Sequence, residues 1–92
     1  MATKVIIPIT CQKELGGTIG MWFKKEGETV KKGELLCTFE TEKASVEIEA
    51  PCSGILRVIL CARDTEVSVD DCIAIIAGED EDIRAMEKAH KG

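Results

Sequence analysis

Ninety-two residues suffice for one domain around one modest core and leave no room for a second catalytic lobe, because so short a chain buries a limited share of its surface. Seventeen acidic residues against twelve basic ones give a net charge of -5, and no basic cluster accompanies an aromatic series, which argues against nucleic acid as a partner. No apolar run nears the roughly 20 residues of a bilayer-spanning helix and no secretory pattern opens the chain, so it is expected to be soluble, with no membrane partner.

The first element is a short β-rich run over residues 4–9, Lys4-Val5-Ile6-Ile7-Pro8-Ile9, whose proline fits an edge strand or a bend because it cannot donate to a ladder. A polar loop, residues 10–15, leads through Gly16-Gly17 to a second strand over residues 18–23, and Lys24-Lys25-Glu26-Gly27-Glu28 reads as the turn that ends it. Thr29-Val30 and a turn at Lys31-Lys32-Gly33-Glu34 precede a strand over residues 35–40. The two-residue period puts Leu35, Cys37 and Phe39 on one face of that strand and Leu36, Thr38 and Glu40 on the other. The strand over residues 44–50 alternates more cleanly. Ala44, Val46, Ile48 and Ala50 share one side, and Ser45, Glu47 and Glu49 the other. The two strands form a hairpin whose tip is Glu40-Thr41-Glu42-Lys43-Ala44.

This plan recurs. A shift of 37 positions superposes Gly17 on Gly54, Ile19 on Leu56, Trp22 on Ile59, Phe23 on Leu60, Val30 on Val67, Leu36 on Ile73 and Phe39 on Ile76. The turn glycines Gly27 and Gly33 fall over Asp64 and Asp70, which also suit turns. Pro51-Cys52-Ser53-Gly54 is then the crossing between halves. Strands this short cannot bury an apolar face alone. The fold class expected is therefore all-β, a flattened barrel or sandwich of two antiparallel sheets with approximate two-fold symmetry, over residues 1–78. From residue 79 the composition turns acidic and then helix-compatible, and residues 79–92 read as a flexible tail or the start of a linker, or as a short docked helix.

Cys11, Cys37, Cys52, Cys61 and Cys72 are odd in number and form no CxxC pair, and three of them lie in apolar segments. They read as structural thiols in a reducing compartment, not as metal ligands, and no catalytic nucleophile with its base is evident. Lys43 stands out by location. It lies near the midpoint between the repeats at the extremity of a regular hairpin, where an exposed side chain has its base held by a sheet while its head stays free. An ordinary surface lysine is the plainer reading of the same residue.

The segment from Glu40 to Ile48, Glu-Thr-Glu-Lys-Ala-Ser-Val-Glu-Ile, followed by Pro51, Ser53 and Gly54, resembles the modification region of lipoyl domains of 2-oxo acid dehydrogenase acyltransferases, in the biotinyl/lipoyl attachment family. The resemblance extends through Gly27-Glu28-Thr29-Val30-Lys31-Lys32-Gly33-Glu34-Leu35-Leu36 and covers residues 4–78. It implies a carrier domain, itself not an enzyme, with lipoate attached covalently to Lys43. Glu40 and Gly27 match family residues that help position or recognise the lysine. Glu42 and Ala44 flank it, and Glu42 stands where the family usually has aspartate. The loop residues Gln12, Lys13 and Glu14 are then possible partner contacts. The implied partners are a lipoate ligase or lipoyl transferase, a thiamine diphosphate dependent dehydrogenase, an acyltransferase core and a dihydrolipoamide dehydrogenase, in the cytoplasm or the mitochondrial matrix. Two other readings stay open. A biotin carboxyl carrier of the same fold usually has methionine on both sides of its lysine, unlike Glu42 and Ala44, and an unmodified all-β interaction module would not need Lys43.

Overall fold

A computed structural model describes residues 2–7, 16–42, 44–68 and 71–83. Eight strands follow one another: β1 (Thr3–Ile6), β2 (Gly17–Trp22), β3 (Thr29–Val30), β4 (Leu35–Glu40), β5 (Ser45–Glu49), β6 (Gly54–Ile59), β7 (Glu66–Val67) and β8 (Cys72–Ala77). They form two four-stranded antiparallel sheets, ordered β1-β8-β6-β3 and β5-β4-β2-β7, which is the all-β double-sheet architecture expected from the sequence.

The repeat holds in register as well as in sequence. Ile19 pairs with Phe39 and Trp22 with Cys37 in one sheet, while Leu56 pairs with Ile76 and Ile59 with Ala74 in the other, each 37 positions on. The turns repeat too. Glu28 N–H donates to Lys25 O at 3.0 Å and Thr65 N–H to Ala62 O at 3.1 Å. Gly27 (φ +93°) is matched by Asp64 (φ +71°), a non-glycine in the left-handed region that short polar side chains tolerate best. Asp70, the expected counterpart of Gly33, lies outside the described residues.

The halves are not separate layers. The two-residue strand β3 pairs with β6 and β7 pairs with β2, so each half sends a strand into the other's sheet. Trp22 Nε1–H adds a side-chain stitch between halves, donating to Cys61 O at 2.9 Å. β1 is an edge strand, as its nearby proline suggests, and Pro8 itself lies outside the described residues.

One expected face is wrong. The two-residue period puts Leu36 opposite Cys37 and Phe39, yet all three are buried, at no more than 1% exposure. The register slips between Leu35 and Cys37, where the β4–β5 ladder bulges, and this breaks the two-residue alternation. The same residues of the second half, Ile73, Ala74 and Ile76, join the same inter-sheet core together with Val5, Ile19, Val30, Ile48, Leu56 and Val67. On β5 the expected alternation stands from Ser45 onward, with Val46 half-buried, Ile48 and Ala50 buried, and Ser45, Glu47 and Glu49 exposed, whereas Ala44, expected on the inward face, is exposed because it belongs to the turn that precedes the strand.

The outer faces differ. On β4 the outward positions Leu35, Thr38 and Glu40 are partly or fully exposed, whereas all six residues of β8 are buried, as expected of a strand covered on both sides. Cys72, Ile75 and Ala77 form a second cluster with Ile83, bordered by Ala2, Val58 and Leu60. The chain after β8 thus covers that face as far as Ile83. From residue 84 the helix-compatible stretch lies outside the described residues.

The four described cysteines are free, as expected, with Cys37 and Cys72 buried. Cys11 lies outside the described residues. Burial pushes the Cys37 thiol from its ordinary value of 9.0 up to about 12, and the neighbouring Cys61 thiol adds to the rise. Above pH 9 the unfolded chain ionises this thiol while the folded domain keeps it neutral. Its contribution to stability is therefore complete below pH 9 and declines as the pH rises towards 12, with a slope approaching about 1.4 kcal/mol per pH unit. Urea midpoints at about pH 8.5 and about pH 10.5 should differ less in Cys37→Ala than in the parent chain. Equal differences would remove the thiol as the cause.

Candidate functional site: the tip of the β4–β5 hairpin

The last rung of the hairpin pairs Glu40 with Ser45. Beyond it the chain turns within residues 41–44. Thr41 N–H donates to Ala44 O at 2.9 Å, closing the turn through the backbone. The Thr41 hydroxyl accepts from Ala44 N–H at 3.1 Å and approaches Ala44 O at 3.2 Å, the side-chain bracing by which threonine favours turns. Thr41 is half-buried, while Glu42 and Ala44 are exposed. The expected target, Lys43, falls between them in sequence and lies outside the described residues, as do Gln12, Lys13 and Glu14.

Of the other expected residues, Glu40, Glu42 and Ala44 come together on this hairpin. Gly27 belongs to a different element, the turn between β2 and β3. Its N–H donates to Leu56 O at 2.7 Å, and Leu56 N–H returns to Glu28 O at 2.9 Å, so its bonds lead to β6 in the opposite sheet. Its positive φ of 93° explains why glycine suits this turn. The turn before β4 is tied down as well. Glu34 accepts from Lys31 N–H at 2.7 Å and pairs with Lys24 at 3.2 Å, and both hold its carboxyl below the usual range.

Two residues near the tip were missed from sequence. Gly20, buried on β2, makes room for the side chains of Thr38 and Glu40, and Thr38 Oγ1 accepts from Met21 N–H at 3.1 Å. The available signal was a glycine inside a strand, which marks a bulge or a close approach.

Among the described residues no group of three or more His, Cys, Asp or Glu side chains could hold a metal ion, and no helix is long and apolar enough to cross a membrane. Among the described residues, two surface depressions lie beside Gly17, Glu66 and Asp71 and between the edge strands at Lys4, Ile6, Glu47 and Glu49.

Comparison with known proteins identifies the family to which this fold belongs. The biotin/lipoyl family model, described as biotin-requiring enzyme, matches residues 4–76. The dihydrolipoyllysine-residue succinyltransferase component of the 2-oxoglutarate dehydrogenase complex of Rickettsia bellii is 40% identical over 76 residues, which are 83% of this chain and 19% of that protein. The mitochondrial dihydrolipoyllysine-residue acetyltransferase component 3 of the pyruvate dehydrogenase complex of Arabidopsis thaliana is 46% identical over 68 residues, 73% of this chain and 13% of that protein. The chain thus spans about a fifth or less of the length of these relatives. Among solved structures, the lipoyl domain of the 2-oxoglutarate dehydrogenase complex from Azotobacter vinelandii superposes with a TM-score of 0.65 at 28% identity, covering 83% of this chain and 99% of that domain. With the family model spanning most of the chain and a whole lipoyl domain matching its fold, the chain belongs to the biotinyl/lipoyl attachment family, as a non-catalytic, lipoyl-type carrier domain homologous to those of the dihydrolipoyllysine-residue acyltransferases.

Proposed function

We propose that Lys43 carries lipoate in amide linkage and that the domain serves a 2-oxo acid dehydrogenase complex as its mobile acyl carrier. The observation that supports this reading most is the closed turn at residues 41–44. Hydrogen bonds between Thr41 and Ala44 fix the base of the tip, and the neighbours Glu42 and Ala44 are exposed, which suits a long tethered group. Neither neighbour is methionine, which favours lipoate over biotin.

Attachment forms an amide between Lys43 Nζ and the lipoyl carboxyl carbon. The bond from that carbon to an activating adenylate breaks, AMP departs, and the lysine gives up a proton to solvent. Once bound, lipoate supplies a dithiolane that takes an acyl group from a thiamine diphosphate dependent 2-oxo acid dehydrogenase and yields it to an acyltransferase core for transfer to coenzyme A. The protein contributes location. A tethered carrier raises effective concentration at successive active sites when its linker spans them. The remaining partners in this reading are a lipoate ligase or lipoyl transferase and a dihydrolipoamide dehydrogenase, and the compartment is the cytoplasm or mitochondrial matrix, where the free thiols stay reduced.

Co-expression with a lipoate ligase, followed by intact-protein and peptide mass spectrometry, tests this directly. A lipoyl increment confined to Lys43 is expected in the parent chain and should be absent from Lys43→Arg, with the unfolding transition of the two proteins unchanged. A biotin increment would replace lipoate by the rival cofactor. Folded protein with no increment would overturn the carrier reading.

A further inference from the structure

Glu40 is the last ladder residue before the tip, and its side chain is not left to wander. On β2, Ile19 pairs with Phe39 and Trp22 with Cys37, so Gly20 and Met21 together face the single residue Thr38. This is a bulge, and its extra residue disturbs the ladder. Met21 N–H turns to the Thr38 hydroxyl, donating to Oγ1 at 3.1 Å. The hydroxyl proton is thereby directed away from Met21, and Glu40 Oε2 lies 3.4 Å off to receive it. A β-carbon at position 20 would overlap both Thr38 Oγ1 and Glu40 Oε2 and sit 2.9 Å from Glu40 Cδ. The missing side chain of Gly20 is the space into which the Glu40 carboxylate folds.

The second half supplies a control. Shifted by 37 positions, Gly20, Thr38 and Glu40 become Arg57, Ile75 and Ala77, within an equivalent bulge between Leu56 and Val58. There the fold accepts a long side chain, and Arg57 Nη1 reaches over to donate to Gly78 O and to Glu81 O. The bulge alone therefore does not demand glycine. Glycine occurs in the half where a carboxylate occupies the space.

We infer that Gly20 and Thr38 are positioning residues that hold the Glu40 carboxylate against β2, in the form recognised by the enzyme that lipoylates Lys43. The inference rests on the carrier reading above. It makes the recognised surface a constellation of two strands, not a linear tip sequence.

The test measures initial rates of lipoylation of the 92-residue chain by a lipoate ligase with ATP and lipoate, followed by intact mass. Gly20→Ala is expected to lower kcat/KM about tenfold and Thr38→Val about fivefold, while Thr38→Ser, which keeps the hydroxyl, stays within about twofold of the parent. In a Glu40→Ala background Gly20→Ala should have no further effect on the rate, since Thr38, which the β-carbon also displaces, then has no carboxylate to hold. Unchanged rates in both Gly20→Ala and Thr38→Val, or a double variant in which the two losses multiply in full, would overturn the inference. If Gly20→Ala fails to fold, the contrast between Thr38→Val and Thr38→Ser decides alone. A parent chain that is not lipoylated at all removes the carrier reading and this inference with it, whereas a modified parent with indifferent variants removes only the inference.

Discussion

Phe39→Ala should cost about 3–5 kcal/mol of folding stability and bring the domain close to unfolding at room temperature. Phe39 is 1% exposed and sits at the centre of the sheet that carries the tip, with Ile19 and Val46 as its cross-strand partners. Its ring also packs over Gly17, where a β-carbon would come within 3.0 Å of Cζ. Truncation removes the ring's transfer free energy and leaves a cavity between two sheets. The backbone hydrogen bonds on both sides of β4 hold the surrounding strands too firmly for collapse to fill it. Chain size sharpens the effect, because a domain of this length has only a narrow margin of stability. Urea unfolding should show a midpoint far below that of the parent chain, with a similar slope. Phe39→Leu should lose much less, since it keeps most of the apolar volume. The effect also reaches the tip. Glu40 and Thr41 follow directly, so amide exchange at Thr41 and Ala44 should quicken, by at most the factor of the lost global stability. A Phe39→Ala chain within about 1 kcal/mol of the parent would contradict this account of the core.

The repeat of 37 residues was legible because it is written in the residues that both halves need most. These are the apolar positions of β2, β4, β6 and β8 and the turn residues of positive φ, with Gly27 and Asp64 falling on one another in sequence and in conformation. Alternation was a sound guide on β5, where nothing interrupts the pleat. On β4 it misled, because the bulge at Leu35–Cys37 lets adjacent residues Leu36 and Cys37 both face the core, and a periodicity argument assumes an unbroken period. The exchange of β3 and β7 between sheets was hidden for another reason. Two residues carry no period, and their partners are chosen by long-range geometry. At the tip, the sequence pointed to the hairpin and to Glu40, Glu42 and Ala44. It did not disclose Gly20 or Thr38, because their relation to Glu40 runs across strands and a single glycine does not say which side chain fills its space.

The outer face of the other sheet gives the second large effect. The sequence Cys72-Ile73-Ala74-Ile75-Ile76-Ala77 is apolar at every position, so whichever residues face inward, the rest need cover from outside the sandwich. Ile83, 6% exposed against Cys72, Ile75 and Ala77, provides it. The intervening turn is tied twice. Gly78 N–H donates to the Glu81 carboxylate at 2.7 Å, and Arg57 donates across from β6 to Gly78 O and, at 2.9 Å, to Glu81 O. Ile83→Ala should therefore cost about 2–4 kcal/mol, a core-sized loss from a residue beyond the last strand. Truncation after residue 78 should cost at least as much, because it also removes Glu81, which takes one of the two Arg57 hydrogen bonds and the carboxylate that Gly78 N–H donates to, and it uncovers part of Ile75. Thermal and urea unfolding of both variants check this, and hydrogen exchange localises it, with Val58, Ile75 and Ala77 losing protection first. Loss below about 0.5 kcal/mol in both would mean that the domain ends at Gly78 and that the apolar outer face of β8 carries no energetic weight. The symmetry makes the comparison pointed. Residues 78–81 are the counterparts of residues 41–44, so one turn of the fold is closed on itself with exposed flanks, while its twin is strapped down and carries the chain onward over β8.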